Sequence, residues 1–392
     1  MMNIFKLTVL MGLAVCTLVA QGKSEERVTS PDGQLVLTAS LNRDGQPCYM
    51  LRRGGETIIN PSVLGFKLKD GDLSRDFRVV GFARDTKDET WQQPLGEETS
   101  VRNHYNELTM RLRQRRGQQR QLDIVFRVFD DGIGFRYVFP RQKNLSDFVI
   151  MDELTRFNFP FDAKTWSMPV DGTVYYEALW TADKMSRKPE VSTPITIEAR
   201  PDLCMVVHEA NLTDYASLKL KPRAAAGAQG VEMKAELVPW STGELVFARA
   251  PFATPWRTVV VGRTPADLMA SRLMLNLNDP CRIDDTSWLE PGKYVGIWWS
   301  MHMQTKTWAQ GPRHGATTEN TRRYIDFAAS HGFKGVLVEG WNVGWDGDWT
   351  KEGDKFSFTQ PYPDYDLKAL QQYDLNKGVR LITPNDTGWA VQ

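Results

Sequence analysis

The sequence has no excess of charge of either sign. Its 48 lysine and arginine residues equal its 48 aspartate and glutamate residues, so the formal net charge at pH 7 is zero. Proteins that bind nucleic acid or an anionic surface generally use a surplus of basic side chains. The composition therefore predicts a protein without a nucleic-acid partner.

Cysteine is scarce. The chain has four cysteines, of which Cys16 lies in an apolar N-terminal segment, and the other three, Cys48, Cys204 and Cys281, are far apart. An odd number of widely spaced cysteines fits neither a zinc site nor a disulfide framework.

Long apolar runs are absent after the N-terminus. Residues 1–22 contain Lys6, a mostly apolar run from Leu7 to Ala20, and a small residue at Gly22, which is the pattern of a signal peptide. No later run approaches the roughly 20 apolar residues that cross a bilayer. We therefore predict an exported, periplasmic protein without a membrane span.

The region that follows has the pattern of β-structure. From Val28 to about Asp279, short alternating segments such as Leu122–Phe129 are separated by turn pairs such as Asp131-Gly132. Many such strands in a row predict a large two-sheet sandwich, which we place at residues 23–285. Within it, the segment from Phe126 to Pro140 predicts a hairpin.

Two segments of this region carry side chains suited to function. The stretch from Trp166 to Trp180 places Glu177 among aromatic residues on a predicted long loop, and loops carry function more often than strands do. The pair His208-Glu209 ends an apolar strand. For this pair, a structural contact at the strand end is favoured over a metal site.

The pattern changes near Pro280, and residues 286–392 alternate strands with helices. Asp366 is placed to cap a helix, and Gly378 follows that helix. The elements predict a βαβαβ unit with parallel strands. They are a strand at Tyr294–Trp299, a helix at Thr318–Ser330, a strand at Gly335–Glu339, a helix at Leu367–Asn376 and a strand at Val379–Thr383.

Glu339 is the candidate functional residue of this second region, because it ends an unbroken apolar strand. The C-terminal ends of parallel barrel strands are where active-site groups collect. Trp341, Asn342 and Trp345 follow it. An indole face covers the C–H side of a sugar ring while a carboxylate accepts from the sugar hydroxyls. The alternative is a glutamate that pairs with a neighbouring arginine at the sheet edge.

The sequence resembles glycoside hydrolase family 97, the exported α-glucosidases and α-galactosidases of Bacteroides-type bacteria. The resemblance runs from about Thr29 to Thr387. It rests on several runs in the same order: ETW at Glu89–Trp91 with GEE at Gly96–Glu98, RNHYNEL at Arg102–Leu108, DDGIGFRY at Asp130–Tyr137, HEANLTDY at His208–Tyr215, TPWRT at Thr254–Thr258, LNLNDPC at Leu275–Cys281, YVGIWW at Tyr294–Trp299, RRYIDFAASHGF at Arg322–Phe333 and VLVEGWN at Val336–Asn342.

The resemblance implies a multidomain fold of β and α/β type. An N-terminal β-supersandwich would be followed by the first part of a (β/α)8 TIM barrel, with the later strands missing. The implied function is that of an exo-acting, calcium-dependent α-glycosidase that releases terminal α-linked glucose or galactose from oligosaccharides. The missing strands would leave the chain inactive. The alternative is a non-catalytic, carbohydrate-binding β-sandwich with a vestigial α/β tail.

The resemblance also implies roles for single residues. Trp298 corresponds to a sugar-contacting tryptophan, Glu339 to a substrate-binding glutamate, and Glu177 to a calcium ligand, for which a carboxylate is suited. Inverting members end the third barrel strand with two histidines, a glutamate base and a threonine. Here the residues are Pro384-Asn385-Asp386-Thr387. Asp386 would be the base that activates water, or a supporting residue if the enzyme is retaining.

Overall fold

The computed structural model describes residues 24–170, 178–224, 230–348 and 352–385. The chain divides into two compact units, one ending at Pro280 and the other beginning at Cys281. Within the described ranges, no helix has the length and apolar character needed to cross a membrane. The predicted signal peptide at residues 1–22 lies outside these ranges.

The first unit is mostly β-structure with few helices, as the sequence predicts. Its helices are α1 (Pro265–Ala270) and α2 (Leu273–Asn276), with a 3-10 turn at Met185–Arg187. Its strands are β1 (Glu25–Thr29), β2 (Leu35–Leu41), β3 (Pro47–Arg53), β4 (Glu56–Val63), β5 (Phe66–Leu68), β6 (Gly71–Leu73), β7 (Phe77–Gln92), β8 (Ser100–Gln114), β9 (Gln121–Phe129), β10 (Gly132–Phe139), β11 (Asp147–Glu153), β12 (Arg156–Phe159), β13 (Lys164–Pro169), β14 (Thr181–Lys184), β15 (Val191–Arg200), β16 (Leu203–Ala210), β17 (Leu218–Ala224), β18 (Val231–Leu237), β19 (Val246–Arg249), β20 (Phe252–Ala253) and β21 (Trp256–Gly262).

Most of these strands form one antiparallel sheet, which has seventeen of the described strands. Its pairing runs from β1 through β2, β3, β4, β12, β18, β17, β15, β16, β21, β10, β9 and β8 to β7. The two ends approach each other, because the side-chain amide of Asn106 on β8 donates to the carbonyl oxygen of Thr29 on β1 at 2.9 Å. The sheet therefore curls almost into a barrel.

The core lies inside this curled sheet. On β9, the alternate residues Leu122, Ile124, Phe126 and Val128 are fully buried, as expected when successive side chains point to opposite faces. Aromatic rings fill the centre, for example Tyr49 with its ring centroid 4.9 Å from that of Phe135 on β10. Each large apolar side chain buried in this way stabilises the fold by roughly 1.5–3 kcal/mol.

The predicted hairpin is confirmed as β9 and β10, which pair in antiparallel register with Phe129 opposite Gly132. On its other side, strand β10 pairs with β21. Gly132 has a φ of +151°, and a Cβ at this position would lie 2.3 Å from the carbonyl oxygen of Val259 on β21. Only glycine allows β10 and β21 to approach this closely.

Strands β7 and β8 form a long ribbon of 16 and 15 residues. Strand β9 pairs with β8 only between Asn106 and Arg113, so the rest of the ribbon extends beyond it as two strands. Near the end of the ribbon, the indole Nε1 of Trp91 donates to the side-chain oxygen of Asn276 on α2 at 2.9 Å. This contact ties the ribbon to α2.

The described part of the second unit contains three parallel strands and three helices, with the parallel strand order that the sequence predicts. The first predicted strand is too long, because Trp299 begins a helix. The strands are β22 (Tyr294–Gly296), β23 (Gly335–Leu337) and β24 (Arg380–Ile382), and the helices are α3 (Trp299–His302), α4 (Thr318–Ser330) and α5 (Leu367–Lys377), with a 3-10 turn at Gly353–Lys355.

The predicted boundaries of α5 agree with the structure. The Asp366 side chain accepts from the backbone N–H of Ala369 at 3.0 Å, which satisfies one unpaired donor of the first turn. Gly378 follows the helix in the left-handed conformation, with a φ of +66°. Helix α4 buries Ile325 and Ala328, whereas Phe327 is exposed.

Candidate functional site

Aromatic and polar side chains collect at one edge of the three-stranded sheet. Trp298 follows the end of β22 by two residues, Glu339 follows β23 by two, and Asn385 follows β24 by three. Because the strands are parallel, their C-terminal ends meet at the same edge. The structure thus places two of the predicted sugar-binding residues, Trp298 and Glu339, on one side of the second unit.

Glu339 is half-buried and held by an indole. Its Oε2 accepts from Nε1 of Trp308 at 2.9 Å. The alternative of a pair with arginine is not observed in the part of the chain that the structure describes. The hydrogen bond fixes one carboxylate oxygen, and the other can accept from a ligand hydroxyl.

A row of rings connects Trp298 with Glu339. Trp298 and His302 meet edge-to-face with centroids 5.1 Å apart, and His302 meets Trp308 in the same way at 5.0 Å. Trp308 is nearly parallel to Trp345, with an interplanar angle of 14° and a centroid distance of 6.5 Å. Because Trp308 also binds Glu339, these four aromatic residues and the carboxylate form one continuous assembly.

Of the residues that follow Glu339, Trp341 and Asn342 are both buried, so the expectation that the Trp341 indole faces a sugar is wrong. Trp341 is 3% exposed and its Nε1 donates to the carbonyl oxygen of Pro384 at 3.1 Å. Asn342 is fully buried, and its side-chain amide donates to Oδ1 of Asn385 at 3.0 Å. Both residues connect the chain after β23 to the chain after β24.

Trp308 is the residue that the sequence analysis missed. It lies in an irregular segment between α3 and α4, where neither helical nor strand periodicity marks a position. A tryptophan in a polar loop is the only sequence signal that could have indicated it.

His314 fixes the position of the chain next to Glu339. The ring is buried, with Nδ1 2.8 Å from Oδ2 of Asp364 and Nε2 2.9 Å from the carbonyl oxygen of Gly340. Both partners of the ring are acceptors, so a ring N–H donates to one of them. Gly340 has a φ of +80°, and a Cβ there would lie 3.0 Å from the carbonyl oxygen of Trp308. The contacts therefore hold Glu339 against Trp308.

A second charged cluster is buried in the first unit. Arg257 is fully buried and binds Glu153 through two hydrogen bonds, from Nε to Oε1 at 2.8 Å and from Nη2 to Oε2 at 2.7 Å. Its Nη1 donates to Oε2 of Glu209 at 2.6 Å, and the Tyr215 hydroxyl donates to Glu153 at 2.9 Å. Every charge in this network has a partner of opposite sign, which makes burial tolerable.

The two carboxylates of this network differ in acidity. Burial acts to raise the pKa of Glu153, but the charge and hydrogen bonds of Arg257 outweigh burial, so the pKa is below its ordinary value. Burial raises the pKa of Glu209, and its single bond to Arg257 does not compensate. Glu153 is therefore the more firmly ionised partner.

The pair His208-Glu209 does not form a joint site. The side chain of Glu209 binds Arg257, whereas Nδ1 of His208 lies 3.0 Å from the hydroxyl of Thr193. Successive side chains on a strand point to opposite faces, which explains the separation. The structural interpretation of this pair is supported.

The described residues contain no group of three or more histidine, cysteine, aspartate or glutamate side chains that could hold a metal ion. Two sequence-predicted site residues, the calcium ligand Glu177 and the base Asp386, lie outside the described residues. The carboxylates that are described thus do not by themselves make a calcium site.

Comparison with protein families identifies the chain. A model described as glycosyl-hydrolase 97 N-terminal matches residues 28–280, and one described as glycoside hydrolase 97 matches residues 298–391. The chain belongs to glycoside hydrolase family 97. Its two matched regions fall in the two compact units of the structure.

Curated relatives of this family 97 chain are named as α-galactosidases. It is 28% identical to a retaining alpha-galactosidase of Bacteroides thetaiotaomicron, over 96% of this chain and 58% of that protein. It is 27% identical to a probable retaining alpha-galactosidase of Streptomyces bingchenggensis, over 85% of this chain and 47% of that protein. The chain spans about half the length of the curated relatives it matches.

Solved structures share the architecture of this chain. A family 97 enzyme of Pseudoalteromonas sp. strain K8 in complex with acarbose matches with a TM-score of 0.84 and 42% identity, over 91% of this chain and 53% of that one. A beta-arabinopyranosidase matches with a TM-score of 0.73 and 23% identity, over 91% and 55%, which shows the fold alone. The mostly-β fold with few helices that the structure shows agrees with these structures.

Proposed function

We propose that this family 97 protein is an exo-acting α-glycosidase that releases terminal α-linked glucose or galactose from oligosaccharides. The observation that carries the proposal is the contact between Trp308 and Glu339, which orients a carboxylate among aromatic rings at the C-terminal edge of parallel strands. We include in the proposal a β-supersandwich at residues 23–285, the first part of a (β/α)8 barrel at residues 286–392, and export to the periplasm.

Two sugars remain candidates. The curated relatives are named α-galactosidases, which supports galactose. The more similar Pseudoalteromonas enzyme has structures with acarbose and with panose, and panose consists of α-linked glucose units, which supports glucose. The two sugars differ at a single hydroxyl, so discrimination requires a group that binds that hydroxyl.

The chemistry requires two carboxyl groups, one that protonates the leaving oxygen and one that attacks the sugar or activates water. In the proposal, Glu339 and Trp298 bind the terminal sugar, and Asp386 is the base or a supporting residue. Asn385, which precedes Asp386 in sequence, is held by Asn342 at the same edge. Trp308 and His314 keep Glu339 in place before substrate arrives.

The proposal is tested by replacing Glu339 with glutamine and measuring hydrolysis of nitrophenyl α-glucoside and α-galactoside with calcium present. A hydrogen bond to a charged group contributes about 1.5–3 kcal/mol, so kcat/KM should fall by roughly 10- to 100-fold. Glu319→Gln, an exposed change on α4, is the matched control and should leave kcat/KM unchanged. Equal rates for the Glu339 variant and the parent would contradict the proposed role.

A non-catalytic, carbohydrate-binding protein is the second candidate. It is favoured by one observation, namely that the described part of the sheet edge presents one half-buried carboxylate among rings rather than a facing pair. The same assay separates the candidates, because sugar binding by calorimetry with no hydrolysis of either nitrophenyl glycoside supports the binding protein.

We also propose calcium binding at Glu177, as the family resemblance implies. A calcium ion gathers roughly 6–8 oxygen ligands, whereas the described residues contain no cluster of three candidate ligands. We therefore expect this chain to bind calcium at about millimolar concentration or more weakly, and Glu177→Gln to weaken binding further. Calorimetric titration measures both, and micromolar affinity that is insensitive to Glu177→Gln would show that the ligand is assigned to the wrong residue.

The contacts of His314 lead to a further prediction. Changing His314 to alanine removes the bond to the Gly340 carbonyl and leaves the Asp364 carboxylate without its partner. We expect sugar affinity to fall several-fold and the free energy of unfolding to decrease by about 1–3 kcal/mol. Calorimetry and urea denaturation measure these changes. His331→Ala, at an exposed histidine after α4, is the control, and equal sugar affinity for both variants would rule out a positioning role.

A further inference from the structure

A cavity in the second unit adjoins the proposed sugar site. Its volume is about 380 Å³, within the range of roughly 300–1,000 Å³ that is usual for small-molecule sites. Trp308 lines this cavity, and the Nε1 of the same indole donates to Glu339. The cavity and Glu339 therefore share a contact with one side chain, Trp308.

Two indoles provide the apolar part of the wall. Trp345 lines the cavity together with Trp308, and the rings are nearly parallel, at 14°. Trp345 is itself fixed, because its Nε1 donates to the buried Asn342 at 3.0 Å. Trp345 is 5% exposed and supports Trp308, which is half-buried and offers its exposed part to the C–H side of a sugar ring.

Two cations provide the polar part. Lys306 and Arg313 line the cavity, and neither forms an ion pair with any carboxylate in the described ranges. One Arg313 nitrogen donates to the carbonyl oxygen of Gln304 at 3.0 Å, and the remaining N–H groups can bind a ligand. The nearby Asp346 does not line the cavity, and its carboxylate accepts from the Tyr362 hydroxyl at 2.5 Å.

The backbone at the cavity is in an uncommon conformation. Gln304, which lines the cavity, has a φ of +57°, a value that residues other than glycine seldom adopt. Its backbone is held by the bond from Arg313 and by its own N–H, which donates to Met301 at 2.9 Å. Strained residues of this kind concentrate at ligand sites.

We propose that this cavity binds an anionic group, a carboxylate or a sulfate, on the sugar unit that follows the terminal sugar in the oligosaccharide. An arginine fork and an ammonium recognise such groups by charge-assisted hydrogen bonds, while the indole of Trp308 covers the ring. The inference rests on the proposed function, since it assumes that Glu339 holds the terminal sugar. It identifies the substrate class as acidic oligosaccharides.

The test compares three monosaccharides by calorimetry at low salt: glucose, glucuronate and glucose 6-sulfate. A charge-assisted contact predicts that the two anions bind at least about tenfold more tightly than glucose. In the double variant Lys306→Gln with Arg313→Gln, the affinity for the two anions should fall to that for glucose. The affinity for glucose itself should not change. If only glucuronate binds more tightly than glucose, the site is assigned to carboxylates. If only glucose 6-sulfate does so, the site is assigned to sulfates.

Two comparisons make the outcomes distinct. Arg323→Gln with Lys368→Gln removes the same charge from the exposed surfaces of α4 and α5 and should keep the preference for anions. The conservative change Arg313→Lys retains the charge and should keep most of the preference for anions. This variant therefore separates the effect of losing the charge from the effect of disturbing the fold. The inference is overturned if glucose and the anions bind with equal affinity, or if the anions do not bind detectably. It is also overturned if the control pair loses the preference for anions to the same extent as the double change. The proposed function fails separately, if Glu339→Gln leaves glucose binding and hydrolysis unchanged.

Discussion

Replacing Arg257 with methionine is expected to lower the free energy of unfolding of the first unit by about 3–5 kcal/mol. The change removes three hydrogen bonds and leaves the carboxylates of Glu153 and Glu209 inside the curled sheet without a counter-charge. Methionine approximates the length of the aliphatic part of arginine, so the main loss is electrostatic. Urea denaturation at pH 7, followed by tryptophan fluorescence, measures it.

The matched control is Arg249→Met, which breaks an exposed ion pair with Asp147 at 2.6 Å. Exposed pairs contribute about 0–1 kcal/mol, so the control should be nearly silent. Adding Glu153→Gln and Glu209→Gln to the Arg257 variant should recover part of the stability, because the uncompensated charges are then absent. A similar cost for Arg257→Met and Arg249→Met would show that the buried network contributes no more than a surface pair.

Replacing Gly132 with alanine is the second change with a large expected effect. The new Cβ would lie 2.3 Å from the carbonyl oxygen of Val259 and 2.9 Å from the Cα of Val260, both of which are backbone atoms of β21. Backbone cannot move aside as a side chain can, so the β10–β21 pairing has to open. The φ of +151° is also unfavourable for alanine. We therefore expect the free energy of unfolding to decrease by roughly 3 kcal/mol or more.

Gly117→Ala is the control for backbone conformation without crowding. Gly117 has a φ of +63° and no atom within 4 Å of an added Cβ. Its replacement should cost only about 1 kcal/mol, which is the strain of the left-handed conformation. The difference between the variants, measured by urea denaturation, isolates the contact with β21. If both alanines cost the same, the close approach of the two strands has no energetic weight.

The sequence predicted those features that depend on neighbouring residues. The alternation of Leu122, Ile124, Phe126 and Val128 follows from the two-residue period of a strand, and the structure buries all four. The cap at Asp366 likewise follows from local chemistry. Such signals lie within a few residues of one another and are visible without knowledge of the fold.

The buried network of Arg257 could not be predicted in this way. Glu153 and Glu209 are separated from Arg257 by 104 and 48 residues, so only the pairing of the folded sheet brings them together. An arginine within an apolar strand carries no local sign of its partners. The composition gave no indication either, because the charges balance over the whole chain.

The surroundings of Glu339 show a different limit. Trp341 is close to Glu339 in sequence, and the sequence analysis therefore assigned it to the sugar site. Gly340 turns the chain with a φ of +80°, after which Trp341 enters the core and contacts Pro384. The indole that binds Glu339 comes instead from Trp308, which is 31 residues away. Proximity to Glu339 in sequence therefore does not indicate which aromatic residue contacts the carboxylate.

The ribbon of β7 and β8 has a consequence for solubility. In the described ladders β7 pairs with β8 alone, so the outer half of this ribbon has a free edge of unpaired backbone groups. Edges of this kind can capture a strand of another molecule and start aggregation. The exposed run Lys87-Asp88-Glu89 lies along this edge. An incoming strand would have to bury these charges. The protein can therefore remain dispersed at high concentration although its sheet has a free edge.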